Sequence, residues 1–345
     1  MKQIVTTGRG GPEVLELREV PTPSPAAGEV RVVTAYAGVN FADIMVRLGL
    51  YPDGPGLPTV VGYEVSGVID AVGEGVPPAR VGERVAAITN FGGYTEYLCV
   101  PALQAFPLPD AVSLEAAAAL PVNYLTAYIM LRVLTTVNPG ERVLVHSAAG
   151  GVGTAARQLV RLAGGEVVAS ASPAKHDLLR QEGCLAVFDS RQERYADTVR
   201  AACGGRGCDV ALEPRHGRWI MESYKALGKG GRLVLHGFSS ATEGGGGTLG
   251  ALKTLARVPW LQINPVRLMN DNKALAGVNL GRLWDQLDRF DGWMRQLLQW
   301  QSAGDIAPRI DRIYPADEAG AAHLRLQQRA NVGKVLLRFG EEASP

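Results

Sequence analysis

Between residue 30 and about residue 106 the chain is written in short apolar runs broken by glycine and proline, at 30–35, 65–72, 84–88 and 94–100. Runs of that length bounded by turn residues predict a compact all-β unit. From Ser113 to Leu134 the sequence turns rich in alanine and leucine, with Ser113 placed to cap a helix and Glu115 in its first turn. Beyond Pro139 and Gly140, apolar strands at 142–146, 166–170, 186–188, 210–212 and 232–236 alternate with helical patterns at 152–163, 173–181, 195–202 and 218–227. That alternation predicts a parallel sheet with crossovers, the doubly wound α/β plan of nucleotide-binding domains.

The glycine run 244–247 predicts a connection, and 274–280 one more strand. Over 282–303 the residues Leu283, Leu287, Phe290, Met294, Leu297 and Leu298 recur at helical spacing, so one long amphipathic helix is expected, with Trp284, Trp293 and Trp300 as packing. The tail from 306 to 339 reads as a strand, a helix over 315–328 and a strand over 334–338, enough to return to the first domain. The expected division is therefore 1–120 with 304–345 as one domain and 121–303 as the other.

Composition narrows the function classes. The 345 residues carry 35 Lys and Arg against 34 Asp and Glu, so there is no basic footprint for nucleic acid or anionic lipid, and a small molecule is the expected partner. The first 17 residues mix Lys2, Arg9, Glu13 and Glu16 with short apolar stretches, which argues against an export signal. The uncharged stretch 116–131 contains Pro121 and Asn123 and is shorter than the roughly 18 residues of a spanning helix, so no transmembrane segment is expected. Cys99, Cys184, Cys203 and Cys208 lack CxxC spacing, in keeping with a reducing cytoplasm.

The strongest chemical signal is an apolar strand running into Ser147-Ala-Ala-Gly-Gly-Val-Gly153 at the head of a helix. Ala149, Gly150, Gly151, Val152 and Gly153 would let a pyrophosphate approach free backbone amides at a helix N-terminus. About twenty residues on, where NAD-binding chains carry an acid for the ribose, stands Ser170, followed by Ser172, Pro173 and Lys175. Hydroxyls and a cation suit a 2′-phosphate, which favours NADPH; the competing reading is an ordinary capped helix with a surface lysine. All five histidines lie at or beyond 146, leaving only Cys99 before it, so a Cys/His zinc site cannot be assembled in the β unit. Hydride transfer would then suit an acceptor that needs only hydrogen bonds, such as a C=C conjugated to a carbonyl.

The phrases Gly38-Val-Asn-Phe-Ala-Asp-Ile-Met-Val-Arg-Leu-Gly-Leu-Tyr51, Gly62-Tyr-Glu-Val-Ser-Gly67, Gly93-Tyr-Thr-Glu-Tyr97, Leu120-Pro-Val-Asn-Tyr-Leu-Thr-Ala-Tyr128 and Asn331-Val-Gly-Lys-Val-Leu-Leu337 resemble the zinc-free quinone oxidoreductases of the medium-chain dehydrogenase/reductase superfamily. Ala201-Ala-Cys-Gly-Gly205 and Val278-Asn-Leu-Gly281 are most similar to its vesicle amine transport protein homologues. The resemblance implies a GroES-like β-rich catalytic domain built from both chain ends, a Rossmann-type domain between them and a cleft holding NADPH. It also implies that Asn40 sits near the nicotinamide ribose and the substrate oxygen and that Tyr51 lines the pocket, which with Tyr63 makes three catalytic candidates; Thr126 matches a position at the nicotinamide and Asn331 one at the cofactor phosphates, with Ser190, Gly237, Phe238 and Asn279 as further cofactor-binding candidates.

Structural readings stand beside these roles. Asn40 could cap a turn, and the tyrosines could pack a wall. Two stretches depart from the family pattern. Ser190 replaces a common tyrosine, for which Arg191 could compensate, and Glu213-Pro-Arg-His-Gly217 offers Arg215, His216 and Arg218 either as grips for an anion or as a solvated loop.

The expected activity is NADPH-dependent reduction of an enone, quinone or enoyl thioester, with residues 249–268 bordering a pocket suited to an acyl-CoA such as a dimethylacryloyl thioester. The rivals are a one-electron quinone reductase and a cofactor-binding scaffold or membrane-associated adaptor without turnover. A homodimer paired through the 274–280 strand is expected from the resemblance.

Overall fold

A computed structural model of the chain describes residues 1–51, 54–237 and 263–340. Phe238, the glycine run and residues 249–262 of the expected pocket border lie outside the described residues.

Two compact units emerge, Met1–Leu125 with Leu280–Pro345, and Thr126–Asn279. The division differs from the expected one at the long helix. That helix runs Leu287–Ala303, preceded by two short 3-10 turns in place of continuous helix from 282, and buries Phe290, Met294, Leu297 and Leu298. It packs against the 3-10 turn Ala102–Gln104 and the short strand Ala105–Pro107, and so belongs with the first unit.

In the first unit, β1 (Lys2–Thr6), β2 (Leu15–Glu19) and β4 (Thr59–Val60) make a small antiparallel sheet that apolar patterning did not announce, because β2 is mostly exposed. The main sheet joins β3 (Glu29–Val39), β5 (Glu64–Val72), β6 (Arg84–Ile88), β7 (Tyr97–Pro101) and β8 (Ala105–Pro107) to β15 (Ile310–Pro315) and β16 (Lys334–Arg338). β16 runs antiparallel to β3, with Val335 opposite Val39, so the two ends of the chain meet in one sheet. Alternate residues of β3 and β5, among them Val30, Val32, Val65 and Ile69, fill the core of the unit. The alanine-rich stretch is not one helix: Pro121 lacks the amide a continuing helix would use, and Leu114–Ala118, Pro121–Tyr128 and a wider turn over Ile129–Leu134 follow in series.

The second unit is a six-stranded parallel sheet: β9 (Arg142–Val145), β10 (Glu166–Ala171), β11 (Ala186–Asp189), β12 (Cys208–Glu213), β13 (Leu227–His236) and β14 (Ala274–Val278). Their spatial order is β11-β10-β9-β12-β13-β14. The reversal between β10 and β12 across β9 is the switch point of a doubly wound fold, where ligands bind beyond the carboxyl ends of the strands.

Candidate active site

In the first unit, β3 ends at Val39 and Asn40 opens the helix Phe41–Arg47. The Asp43 carboxylate takes the Asn40 backbone N–H at 2.8 Å, which leaves the Asn40 side chain for other work. Its Nδ2 donates to Glu64 Oε1 at 3.0 Å and to the Gly38 carbonyl at 3.2 Å, while its Oδ1 accepts from Lys334 Nζ at 2.6 Å. Lys334 also pairs with Glu64, whose other oxygen accepts the Val122 N–H at 2.7 Å. All three side chains are buried, and the bonds to Asn40 and to the Val122 N–H offset part of the cost of desolvating the ion pair. Both ends of the Asn40 amide are engaged here, in a fixing role toward Glu64 and Lys334. Neither of those partners was singled out from sequence, although both lie inside the quoted phrases Gly62-Tyr-Glu and Asn331-Val-Gly-Lys.

Beneath this, Asp43 Oδ1 accepts the Gly62 N–H at 3.0 Å and its Oδ2 accepts the Tyr94 hydroxyl at 3.0 Å, which in turn lies 3.1 Å from His323 Nε2. Burial pushes the Asp43 carboxyl up to about 7 and the His323 ring down to about 3.

Tyr51 and Tyr63 converge on Phe91, a residue sequence reasoning passed over. The Tyr63 ring lies 4.9 Å from Phe91, and Tyr51 meets Phe91 edge-on at 6.3 Å. Phe91 holds φ at +72°, a left-handed backbone uncommon for an aromatic residue. Tyr63 is 6% exposed, and its hydroxyl has no hydrogen-bond partner among the described residues. The Tyr51 phenol is a polar group that acts on it. Burial, with Asp43 and Tyr51 adding to it, pushes the Tyr63 pKa far above its ordinary value, so the group is a proton-bearing donor throughout the working pH range.

In the second unit the turn after β9 brings Ser147 to φ +50° and closes with Gly150 N–H on the Ser147 carbonyl at 2.9 Å. Gly150 caps the helix Gly151–Leu162, whose first amides find no acceptor within the helix. A side chain at Gly153 would place Cβ 2.3 Å from the Ser147 oxygen, so only glycine lets the helix start this close to the strand end. At Gly150 a Cβ would meet only that same oxygen at 3.3 Å, leaving the approach to the amides open. Arg157 reaches back to hold the Ala148 carbonyl at 2.8 Å. The glycines, the amides of Gly151 and Val152 and the helix dipole together fit a pyrophosphate.

Ser170 departs from expectation. It is fully buried, with Oγ 2.7 Å from His146 Nδ1, so its hydroxyl is engaged in the domain interior. His146 Nε2 faces Ser223 Oγ at 3.2 Å and Glu213 Oε2 at 3.3 Å, while Arg215 Nη2 approaches Nδ1 at 3.0 Å. Arg215 Nη2 also lies 3.3 Å from Nε2, so the guanidinium does not choose between the nitrogens; the Glu213 carboxylate, which only accepts, faces Nε2 and places the ring proton there. Burial holds this imidazole neutral, with a pKa of about 3.

Arg215 is neither a grip for substrate nor a solvated loop residue. It is buried, pairs with Glu213 at 2.8 Å and lies 4.0 Å over the Trp219 ring. Arg218 pairs with Glu193 at the surface, and His216 Nε2 contacts the Gly237 carbonyl at 3.0 Å. Arg191 is held by its neighbour Asp189, while Ser190 accepts Arg215 Nη1 on its carbonyl at 3.1 Å.

Ser172 is exposed and caps the turn Pro173–Lys175 through its carbonyl alone, and Lys175 is half-buried in that turn. Ala149 and Thr126 are buried, and Asn279 is exposed just after β14. Asn331 is buried and donates to the Gly333 carbonyl at 2.7 Å. Among the described residues no three His, Cys, Asp or Glu side chains group as a metal site would require.

Residues 26–110 match the alcohol dehydrogenase GroES-like domain and residues 183–337 the zinc-binding dehydrogenase domain. The human synaptic vesicle membrane protein VAT-1 homolog is 37% identical over 99% of this chain and 87% of its own length. The chain belongs to the medium-chain dehydrogenase/reductase superfamily. Within that superfamily, rat quinone oxidoreductase is 31% identical over 95% of this chain and 94% of its own. Among solved superfamily structures, a mycobacterial protein complexed with NADPH superposes with a TM-score of 0.85 at 31% identity, covering 98% of this chain and 100% of that one. CurK enoyl reductase superposes at 0.83 with 29% identity, covering 98% and 99%. The protein is thus an oxidoreductase of the superfamily with quinone oxidoreductase and enoyl reductase relatives, and no described helix is long and apolar enough to cross a membrane.

Proposed function

We propose that the protein is an NADPH-dependent reductase of the C=C bond in α,β-unsaturated carbonyl compounds, namely enones, quinones or enoyl thioesters. The observation that carries this reading is the aromatic wall in which the phenols of Tyr63 and Tyr51 meet at Phe91. Both phenols are hydrogen-bond donors of the kind a substrate carbonyl oxygen requires. When bound, NADPH supplies a hydride for the β-carbon of the substrate.

Negative charge then gathers on the carbonyl oxygen, where Tyr63 stabilises it by donating a hydrogen bond that strengthens as the charge grows, and water or a tyrosine returns a proton to the α-carbon to complete the reduction. Phe91 and Tyr51 keep water from that oxygen. Asn40, anchored by Glu64 and Lys334, fixes the start of the helix behind the wall. The cofactor's pyrophosphate would be held by Gly150, Gly151, Val152 and Gly153, and its 2′-phosphate by Ser172 and Lys175, since no carboxylate occurs in Ala171–Lys175. That a structural neighbour is complexed with NADPH supports the choice of cofactor.

The free thiols of Cys99, Cys184, Cys203 and Cys208 suit the reducing cytoplasm. β14 ends the parallel sheet, and its outer edge would pair with a second copy to give a homodimer.

The test is NADPH oxidation with a quinone, an enone and 3,3-dimethylacryloyl-CoA, with product analysis, for the wild type, Tyr63→Phe and Tyr51→Phe. Tyr63→Phe is expected to lower kcat/KM for the best acceptor about 100-fold with NADPH affinity unchanged. NADPH binding with no acceptor reduced would overturn the reading in favour of a scaffold. Semiquinone radicals without a reduced C=C would overturn it in favour of one-electron chemistry.

A further inference from the structure

The amino ends of the parallel strands carry a second chemistry. Where β9, β12 and β13 begin, the second unit contains a cavity of about 810 Å³ between Arg142, Arg206, Leu227 and Lys273. The Gly150–Gly153 turn lies at the opposite, carboxyl end of β9, so this cavity is separate from the cofactor cradle.

Its charges do not cancel. Of the carboxylates in the lining, Glu141 is held by Arg232 at 2.6 Å, and Asp271 is held by the Tyr224 hydroxyl at 2.9 Å and Arg267 at 3.4 Å. Among the described residues Asp209 accepts only a backbone amide, that of Arg142 at 2.7 Å. On the cationic side Arg142 is matched by Glu166 at 3.1 Å. Arg200 donates only to the carbonyls of Lys225, Leu227 and Gly205, at 3.3 to 3.4 Å, and Lys273 donates to the Tyr224 carbonyl at 2.8 Å. Arg206 and Lys229 line the cavity with no ion pair among the described residues. Lys273 also lies 4.4 Å over the Tyr224 ring, so among the described residues the lining holds four cations without a carboxylate in hydrogen-bond contact, against Asp209 as the one carboxylate outside an ion pair.

We propose that this cavity is a binding site for a small diphosphate-bearing anion. Guanidinium groups grip phosphate oxygens in pairs, and two arginines with two lysines match the charge of a diphosphate in a way a single carboxylate would not. No aromatic side chain lines the cavity, so there is no face on which a nucleobase would stack, and the phosphates alone are the recognised part.

The experiment is titration calorimetry of the full chain with inorganic pyrophosphate at low ionic strength. Saturating NADPH is present so that the cofactor cradle is filled, and the same titration is repeated with ADP. The expected result is one pyrophosphate site per chain, at least tenfold weaker in the double variant Arg206→Gln with Lys229→Gln. Both residues are exposed, so that variant should keep its Tm and its NADPH affinity. Absence of binding, equal binding to the double variant, or ADP binding tenfold tighter than pyrophosphate would each overturn the proposal. None of these results depends on which acceptor the enzyme reduces.

Discussion

Lys334 Nζ lies 2.6 Å from Asn40 Oδ1 although 294 residues separate them in the chain. The first residue of the last strand thereby pins the residue that opens the first helix, and Glu64 closes the triangle from β5. Replacing Lys334 with methionine would leave the Glu64 carboxylate buried without its cation. Denaturant unfolding should show a loss of about 3–5 kcal/mol, largely recovered when Glu64→Gln is added, since the pair then leaves together. If the single variant unfolded like the wild type, the triangle would have no energetic role.

Gly153 marks where the helix touches the strand end. Gly153→Ala would drive a methyl group to 2.3 Å from the Ser147 oxygen, and the helix start would have to retreat. The amides that would meet the pyrophosphate retreat with it. NADPH titration by fluorescence should report at least a tenfold weaker Kd, with about 1–3 kcal/mol lost from stability. Unchanged affinity would mean that the helix start does not hold the cofactor.

Much of this was legible beforehand. The second unit announced itself because buried parallel strands are continuous apolar runs and the glycine turn interrupts one of them at a helix start. The hidden parts share a physical cause: they depend on side-chain direction across long separations. Ser170 was read as cofactor-facing from its distance along the chain, yet strand alternation turns its hydroxyl inward to His146. The sequence leaves Arg215 as either an anion grip or part of a solvated loop, and only the fold shows Glu213 and Trp219 closing on it. Phe91 carried no motif, and its role follows from a left-handed backbone that sequence patterning does not encode. The boundary at the long helix moved because its apolar stripe identifies a buried face without identifying the partner.

Asp43 has an ordinary carboxyl value of 3.8 and about 7 in the folded chain, chiefly through burial. Between those values the folded protein keeps a proton that the unfolded chain has released. Stability from this group therefore falls as pH rises from about 4 to 7 and is level above that, by an amount on the order of 4 kcal/mol. His146 and His323, both held neutral to about 3, act oppositely: the unfolded chain takes up protons below 6.5, so their contribution falls as pH drops. Subtracting the pH profile of Asp43→Asn from that of the wild type isolates the first effect. A difference that stayed flat between pH 4 and 7 would show Asp43 to be ionised in the fold.

Ser170 and Lys175 separate two accounts of cofactor choice. With its hydroxyl bonded to His146 at 2.7 Å and no exposure, Ser170 supports the interior of the second unit, where Arg215 also donates to the same imidazole nitrogen. Ser170→Ala removes the hydroxyl partner of Nδ1, so the expected cost is about 1–2 kcal/mol of stability, with the ratio of NADPH to NADH affinity unchanged. Lys175→Ala, in the turn after β10, should lower NADPH affinity about tenfold and leave NADH affinity as it was, because only the 2′-phosphate is lost as a partner. The two variants are read by the same pair of titrations. A selective loss of NADPH in Ser170→Ala, with none in Lys175→Ala, would mean that the buried hydroxyl turns outward when the cofactor binds.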